Sequence, residues 1–400
     1  MRPFAKNVFL PAVILFAVAN LCLLEILPTS QDGILAQQRK DLSWWTIRSF
    51  LALHRRPTVV LIGSSVMTKV SNEGDATYLG KILDARTHHR SQYLEDLISE
   101  RSSEAPYCAS LSIPGMNASD VGVATSVLLK SPHKPDLLVY GIAPRDLMDN
   151  ALSMPSQTST YHLLEKIGDL SALAYDARLG FEAKFKFCVN SVLRLLCPLY
   201  CYQEEVALKW QHFCGSEIAQ FMPKQNVAAN LTEKVLVTLH MVPNEFDTAI
   251  SSLPYDPARR EHGDLSNCYI ASYNPFRKQL YEAQVQFLSR CLETCQSRGI
   301  KVLLVNMPLR ADSFKLMPAG FYKRYLNDVQ KIAAAKRADF LDFEKNESFV
   351  DDDFVDQVHL SGAGGCKFVR CLAAGILERH LLSPRRESVT VAERKPMIAQ

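Results

Sequence analysis

Two short stretches of the sequence hold residue types able to activate a hydroxyl group. The first is residues 61–67 (LIGSSVM), an apolar run ending in Gly63 and the serines Ser64 and Ser65. A turn from strand to helix at such a point places a serine hydroxyl at the carboxyl edge of a sheet. Its own backbone N–H then lies at a helix N-terminus, where developing negative charge is favoured. Serine is a weak nucleophile and needs a neighbouring base. Taken alone, the stretch is equally an ordinary Gly-Ser turn that caps the next helix. The second stretch is residues 355–365 (VDQVHLSGAGG), with Asp356 and His359 three residues apart at the entrance to a helix that Ser361 can cap, spanning about residues 362–380. That spacing lets a carboxylate hold an imidazole in one tautomer while the other ring nitrogen takes a serine proton. Its plain alternative is a surface aspartate beside the acidic run 351–353 and a histidine that caps or packs. Together the two stretches are far more specific than either, because they stand at opposite ends of one α/β unit. Within the first, Ser64 rivals Ser65 as nucleophile. A phosphate-binding loop is set aside, since GSSVMTK lacks the second glycine and the adjoining Lys-Ser/Thr pair.

The elements that must position these residues are legible as apolar runs. Residues 58–63 (TVVLIG), 108–113 (CASLSI), 136–141 (DLLVYG), 300–308 (IKVLLVNMP) and 338–343 (ADFLDF) are too short for lone helices. Most are rich in Val, Leu or Ile, as parallel strands covered on both faces are. Helical stretches lie between them, at 93–102, 119–130, 276–298 and 320–336. The alternation predicts an α/β/α sandwich around a parallel sheet. Ligands bind such sheets outside the carboxyl ends of strands, so site residues are expected just after a strand. Residues 151–270 break the pattern and are expected to be a mainly helical insertion, with helices over 161–179, 181–196 and 204–221. Its most apolar stretch, 185–202, carries Lys186, Arg194 and Pro198, which argue against a membrane span there.

The 400 residues are 48% hydrophobic and 22% charged, a globular composition, and the formal charge of +3 is too small for a dedicated nucleic-acid binder. Residues 8–27 supply about the 20 apolar residues that cross a hydrocarbon core, behind Arg2 and Lys6. Glu25 lies near one end of the run, where it can reach water. The expectation is a retained anchor over residues 1–28, a juxtamembrane connector over 29–55 with Trp44, Trp45 and Phe50 near the interface, a main domain over 56–382 and a mobile tail over 383–400. Flanking charges are nearly tied, so orientation rests on the seven-residue head, which holds nothing to export; the body is expected outside the cytoplasm. Eleven cysteines include no CxxC pair and no zinc-type spacing, so neither a metal nor a cofactor is expected. Cys197 with Cys201, and Cys291 with Cys295, have the spacing of neighbours on one helix face and are expected to be small buried hydrophobes. Sequons occur at Asn117, Asn230 and Asn346.

These stretches resemble the conserved blocks of the SGNH (GDSL-type) hydrolase and acyltransferase superfamily. Residues 63–65 (GSS) look like its first block, usually Gly-Asp-Ser, with Ser65 at the nucleophile position, and residues 356–361 (DQVHLS) look like its Asp-x-x-His block. Residues 112–120 (SIPGMNASD) are similar to the second block, which implies Gly115 as an oxyanion donor through its N–H. The third block, usually Gly-x-Asn-Asp, reads GIAPRD over 141–146. The asparagine amide is missing, so Arg145 replaces it, or Asn117 reaches in from the second block, or the oxyanion hole is weaker; Asp146 belongs to the same group. The resemblance covers roughly residues 56–150 and 275–380 and implies a three-layer, flavodoxin-like sheet. An N-terminal span with Gly-Ser-Ser and an altered third block is similar to envelope-acylation proteins, such as the D-alanine transfer protein of teichoic acid modification and the alginate O-acetylation proteins. That implies acyl transfer through a Ser65–His359–Asp356 acyl-enzyme to an envelope polysaccharide or polyol, with a polytopic membrane O-acyltransferase as partner. An esterase acting on a small acyl ester, or an inactive domain that binds envelope polymer, are the alternatives.

Overall fold

Each of the five apolar runs forms a strand: β1 (Val59–Gly63), β3 (Cys108–Ser110), β4 (Leu137–Ile142), β6 (Lys301–Asn306) and β7 (Asp339–Asp342). The structure, a computed structural model, describes residues 9–26, 40–100, 106–152, 155–168, 251–256, 263–344 and 349–382, with isolated residues between 27 and 39 and near 190. The five strands make one sheet in the order β3-β1-β4-β6-β7, and every neighbouring pair is parallel. All residues of β1 and β4 are buried, as are all but the first of β6. Strands covered on both faces have no polar side to show, which is why they read as unbroken Val/Leu/Ile runs. From β1 the chain winds to one side to lay down β3, then crosses back to lay down β4 on the other side of β1. The winding reverses between β1 and β4, and a crevice opens above their carboxyl ends. Two further strands, β2 (Leu83–Asp84) and β5 (Ser251–Ser252), pair antiparallel in a ribbon of their own. Two-residue strands carry no period, so nothing announced them.

The helices gather into two packed groups. One holds α3 (Ser65–Leu79), α4 (Gln92–Ser99) and α10 (Gly362–Glu378); the other holds α5 (Ala118–Leu128), α6 (Ser159–Ile167), α8 (Lys278–Ser297) and α9 (Phe321–Ala335). The bounds of α4, α5, α8, α9 and α10 lie within a few residues of the expected ones, as fraying helix ends allow. Helices α3 and α10 meet backbone to backbone: a Cβ added to Gly365 would lie 3.3 Å from Cα of Gly74. This contact is central to the molecule, because Ser65 opens α3 and His359 stands just before α10.

Helix α1 (Phe9–Ile26) covers most of the expected anchor and exposes Leu10, Leu15, Phe16 and Leu21. Its 18 residues rise about 27 Å, short of the roughly 30 Å hydrocarbon core. No helix among the described residues is long and apolar enough to cross a membrane. The expected connector behaves differently from its prediction. Asp41 caps α2 (Leu42–Leu51) by accepting the Trp44 N–H at 2.9 Å, and the apolar face formed by Trp44, Ile47 and Phe50 is buried in the core. An amphipathic pattern says that one face needs covering and is silent about what covers it; here the cover is protein.

The insertion is also shorter than expected at its C-terminal end. Residues 251–256 and α7 (Ser266–Tyr273) belong to the body of the fold. Tyr255 N–H donates to Thr77 Oγ1 at 3.0 Å and Leu265 N–H to Gln357 Oε1 at 2.9 Å, while Tyr269 and Tyr273 are buried. The helix expected over 161–179 is present over Ser159–Ile167. Its remainder, the helices expected at 181–196 and 204–221, the apolar stretch 185–202, Cys197, Cys201, Asn230, Asn346 and the tail lie outside the described residues. Cys291 and Cys295 are buried free thiols, and no His/Cys/Asp/Glu group suited to a metal ion occurs among the described residues.

Candidate active site

The nucleophile turn depends on two facing glycines. Gly63 and Gly141 are register partners at the ends of β1 and β4. Gly63 has φ +154°, and a Cβ there would lie 2.5 Å from the Gly141 carbonyl oxygen. Any larger residue would push the two turns apart. Beyond Gly63, Ser64 is the N-cap and Ser65 the first residue of α3. The Ser65 N–H is therefore one of the helix donors with no acceptor inside the helix, and it has no other partner among the described residues. Ser65 is half-buried, with its hydroxyl at the cleft.

Its base arrives from the far edge of the sheet. After β7 the chain passes back over the strand ends, where Arg310 N–H donates to the Gln357 carbonyl at 3.1 Å, and turns tightly so that Val355 N–H bonds the His359 carbonyl at 2.9 Å. Asp356 closes this turn: its Oδ1 accepts the Val358 and His359 N–H groups at 2.9 and 2.8 Å. That leaves Oδ2 free to accept from His359 Nδ1 at 2.7 Å. With Nδ1 donating, Nε2 is the acceptor, and it stands 2.8 Å from Ser65 Oγ. Burial alone would raise Asp356, but the His359 hydrogen bond and the backbone N–H groups outweigh it, and the carboxyl is held below the usual carboxylate range. Ser65, rather than Ser64, is the serine in reach; Ser64 is buried beneath it. The structure thus brings all three residues together across a separation of 294 positions.

The opposite wall is made by the turns after β3 and β4. Gly115 has φ +81°, which a side chain would strain, and its N–H has no partner among the described residues. Asn117 caps α5; its N–H donates to Asp120 Oδ2 at 2.7 Å, and its side-chain amide makes only a long 3.4 Å contact with the Gly115 carbonyl. Being 3% exposed, Asn117 offers no room for a glycan. Arg145 also lines the cleft, but its guanidinium pairs with Asp149 at 2.8 Å and lies over the Tyr269 ring at 5.3 Å. Burial would lower its pKa; the charge of Asp149 more than reverses this, and Arg145 stays a fixed cation. Asp146 lines the cleft as well and closes its own turn: its Oδ2 accepts the Ala143 N–H at 2.9 Å. Burial raises it to about 7.

The cleft, about 390 Å³ including its open mouth, has side walls that sequence reasoning missed: Tyr269 and Tyr273 from α7, with Leu309 and Val358. The tyrosines sit four apart on one helical face, with Tyr269 inside the expected insertion at 151–270 and Tyr273 just beyond it, where no element was expected.

Over residues 241–372 the chain matches the model of a family described as protein of unknown function (DUF1574), a stretch that contains Asp356 and His359 but not Ser65. No curated protein matches the chain.

Proposed function

We propose that the chain is an SGNH-type serine acyltransferase, anchored to a membrane by its N-terminal helix, that works through an acyl-enzyme on Ser65. The observation that carries the reading is the relay of 2.8 and 2.7 Å from Ser65 through His359 to Asp356. In the first step Ser65 Oγ attacks the carbonyl carbon of an acyl ester and His359 Nε2 takes the hydroxyl proton. The imidazolium that forms is stabilised by Asp356. Negative charge gathers on the former carbonyl oxygen, toward which the unpaired N–H groups of Ser65 and Gly115 are available, with the Asn117 amide as third donor in place of the missing asparagine. The carbon–oxygen bond to the leaving alcohol then breaks, and His359 returns the proton to it. An acceptor hydroxyl repeats the sequence in reverse: it loses its proton to His359, attacks the acyl carbon and releases Ser65.

The strand order, read as flavodoxin-like, and two helix groups in a three-layer sandwich support membership of the superfamily. The exposed apolar side chains of α1 support an anchor, and the acceptor is then a sugar or polyol hydroxyl of the cell envelope, with a polytopic membrane O-acyltransferase as the source of acyl groups. Water as acceptor turns the same machinery into an esterase. Incubation of the full-length chain with a fluorophosphonate probe tests the relay: Ser65 is expected to be labelled and Ser65→Ala not. Labelling that persists in Ser65→Ala, or is absent from the wild type, removes the proposal. Mass spectrometry of an oligosaccharide incubated with an acyl ester then separates transfer from hydrolysis.

A further inference from the structure

Gln357 lies in the turn that holds Asp356 and His359, and its buried side chain joins that turn to the start of α7. Its Oε1 accepts the Leu265 N–H at 2.9 Å, while its Nε2 donates to Asp264 Oδ1 at 2.9 Å and to Ser266 Oγ at 3.2 Å. Beside it, the Gly263 N–H donates to the Val355 carbonyl at 2.8 Å. The Gln357 carbonyl accepts in turn from the Arg310 N–H and the Ser313 hydroxyl. The turn that aims the imidazole and the helix that walls the cleft are thus one hydrogen-bonded unit.

What α7 brings to the cleft is its pair of tyrosines. Tyr269 and Tyr273 are both buried, with ring centroids 6.2 Å apart. Each ring is packed against a neighbour: the Arg145 guanidinium lies 5.3 Å from the Tyr269 centroid, and the Phe321 ring of α9 lies 5.5 Å from that of Tyr273. Rings held in this way cannot swing aside for a bulkier ligand without losing those contacts. Leu309, and Val358 from the catalytic turn itself, complete an apolar side to the cleft. The carbonyl oxygen of an ester attacked by Ser65 is drawn to the N–H groups of Ser65 and Gly115. Its acyl chain must leave the carbon in another direction, and the apolar side is the surface that favours hydrocarbon.

We propose, on the reading of Ser65 as nucleophile, that α7 is the specificity element of the cleft: Tyr269 and Tyr273 select the acyl group by chain length, favouring short chains, and Gln357 is the positioning residue that keeps this wall in register with His359. A wall placed by the catalytic turn measures the acyl chain from the reacting carbon outward. One methylene too many in a fixed apolar pocket is discriminated by about tenfold or more.

The test is acylation of the full-length chain by p-nitrophenyl acetate, butyrate and octanoate, read as the burst of p-nitrophenol, which needs no acceptor. The wild type is expected to be acylated at least about tenfold faster by the acetate than by the octanoate. Tyr269→Ala and Tyr273→Ala are each expected to raise the octanoate rate relative to the acetate rate by about tenfold or more, whatever the absolute rates. Gln357→Met fills the same space without the hydrogen bonds and is expected to move the ratio in the same direction while slowing all three esters. Asp264→Ala, at an exposed residue that supplies one of those bonds, is expected to do so more weakly. A residue of purely structural importance would lower the rates or the melting temperature and leave the ratio between esters where it was. If the wild type shows a burst but no chain-length preference, or both tyrosine variants keep its ratio, the selecting role of α7 is overturned while Ser65 stays the nucleophile. If the tyrosine variants move the ratio and neither Gln357→Met nor Asp264→Ala does, the positioning role of Gln357 is overturned; should Gln357→Met not fold, Asp264→Ala decides it. A wild type with no burst from any ester, or a burst that survives in Ser65→Ala, removes the nucleophile reading and the proposal with it.

Discussion

The two walls of the cleft are held in different ways. On one, Ser65 and His359 come from opposite ends of the chain and meet through side chains, Oγ to Nε2 and Nδ1 to Asp356. On the other, the turns after β3 and β4 are each closed locally, by Asp120 and Asp146 three residues beyond the N–H groups they accept. The first wall requires long-range packing to be correct; the second assembles within a few residues. Local closure also leaves the second wall freer to change its side chains. Ala143 and Arg145 occupy a turn where the resembled superfamily keeps an asparagine, yet the Gly115 N–H and the Asn117 amide still lie at the cleft.

The difference can be broken open by mutation, and the largest effects belong to the long-range wall. Ser65→Ala is expected to abolish fluorophosphonate labelling with an unchanged melting temperature. Asp356→Asn, which releases the imidazole from its tautomer, is expected to slow labelling about 10²- to 10⁴-fold, read as a second-order rate constant. On the local wall, Asn117→Ala is expected to slow labelling about 10²-fold, the usual consequence of losing one oxyanion donor; a variant at wild-type rate would show that the amide does not serve the hole. Gly365→Ala tests what holds the long-range wall together. The added Cβ stands 3.3 Å from Gly74, so α3 and α10 must separate slightly, at about 1–3 kcal/mol of stability by denaturant titration, with a smaller loss of labelling rate.

The smallest effect on labelling belongs to Asp120, whose contribution is to stability against pH. Burial raises Asp120 to about 7 in the folded protein, above the ordinary carboxyl value of the unfolded chain. The folded state thus holds a proton that the unfolded state releases, and stability falls as pH rises from about 4 through about 7. Melting temperatures measured between pH 5 and 8 should decline, and Asp120→Asn should flatten the decline while leaving the cleft in place.

How much of this was legible depended on whether a residue's role is set by its neighbours in sequence. The five strands were, because burial on both faces of a parallel sheet demands unbroken apolar runs such as VVLIG and LLVYG. The Asp356–His359 pair was as well, since three residues of tight turn suffice to join carboxylate and ring. Helix α2 was only half legible: Trp44, Trp45 and Phe50 announced an amphipathic segment with a face to be covered, and that pattern does not distinguish protein from lipid, nor did it single out Ile47, which is buried with Trp44 and Phe50. Tyr269 and Tyr273 were not, because α7 looks like any short helix until it is laid against the cleft.

From the sequence alone came the strand-forming runs, the helices between them, the Gly63-Ser64-Ser65 turn and the local clamp that orients His359. Tertiary structure alone decided that the chain crosses back after β7, that Gly74 and Gly365 let two helices touch, and that Ser65 Oγ and His359 Nε2 end 2.8 Å apart. The physical reason is range. Backbone geometry and hydrophobic period act over a few residues, whereas a meeting between residues 65 and 359 is set by how whole layers pack.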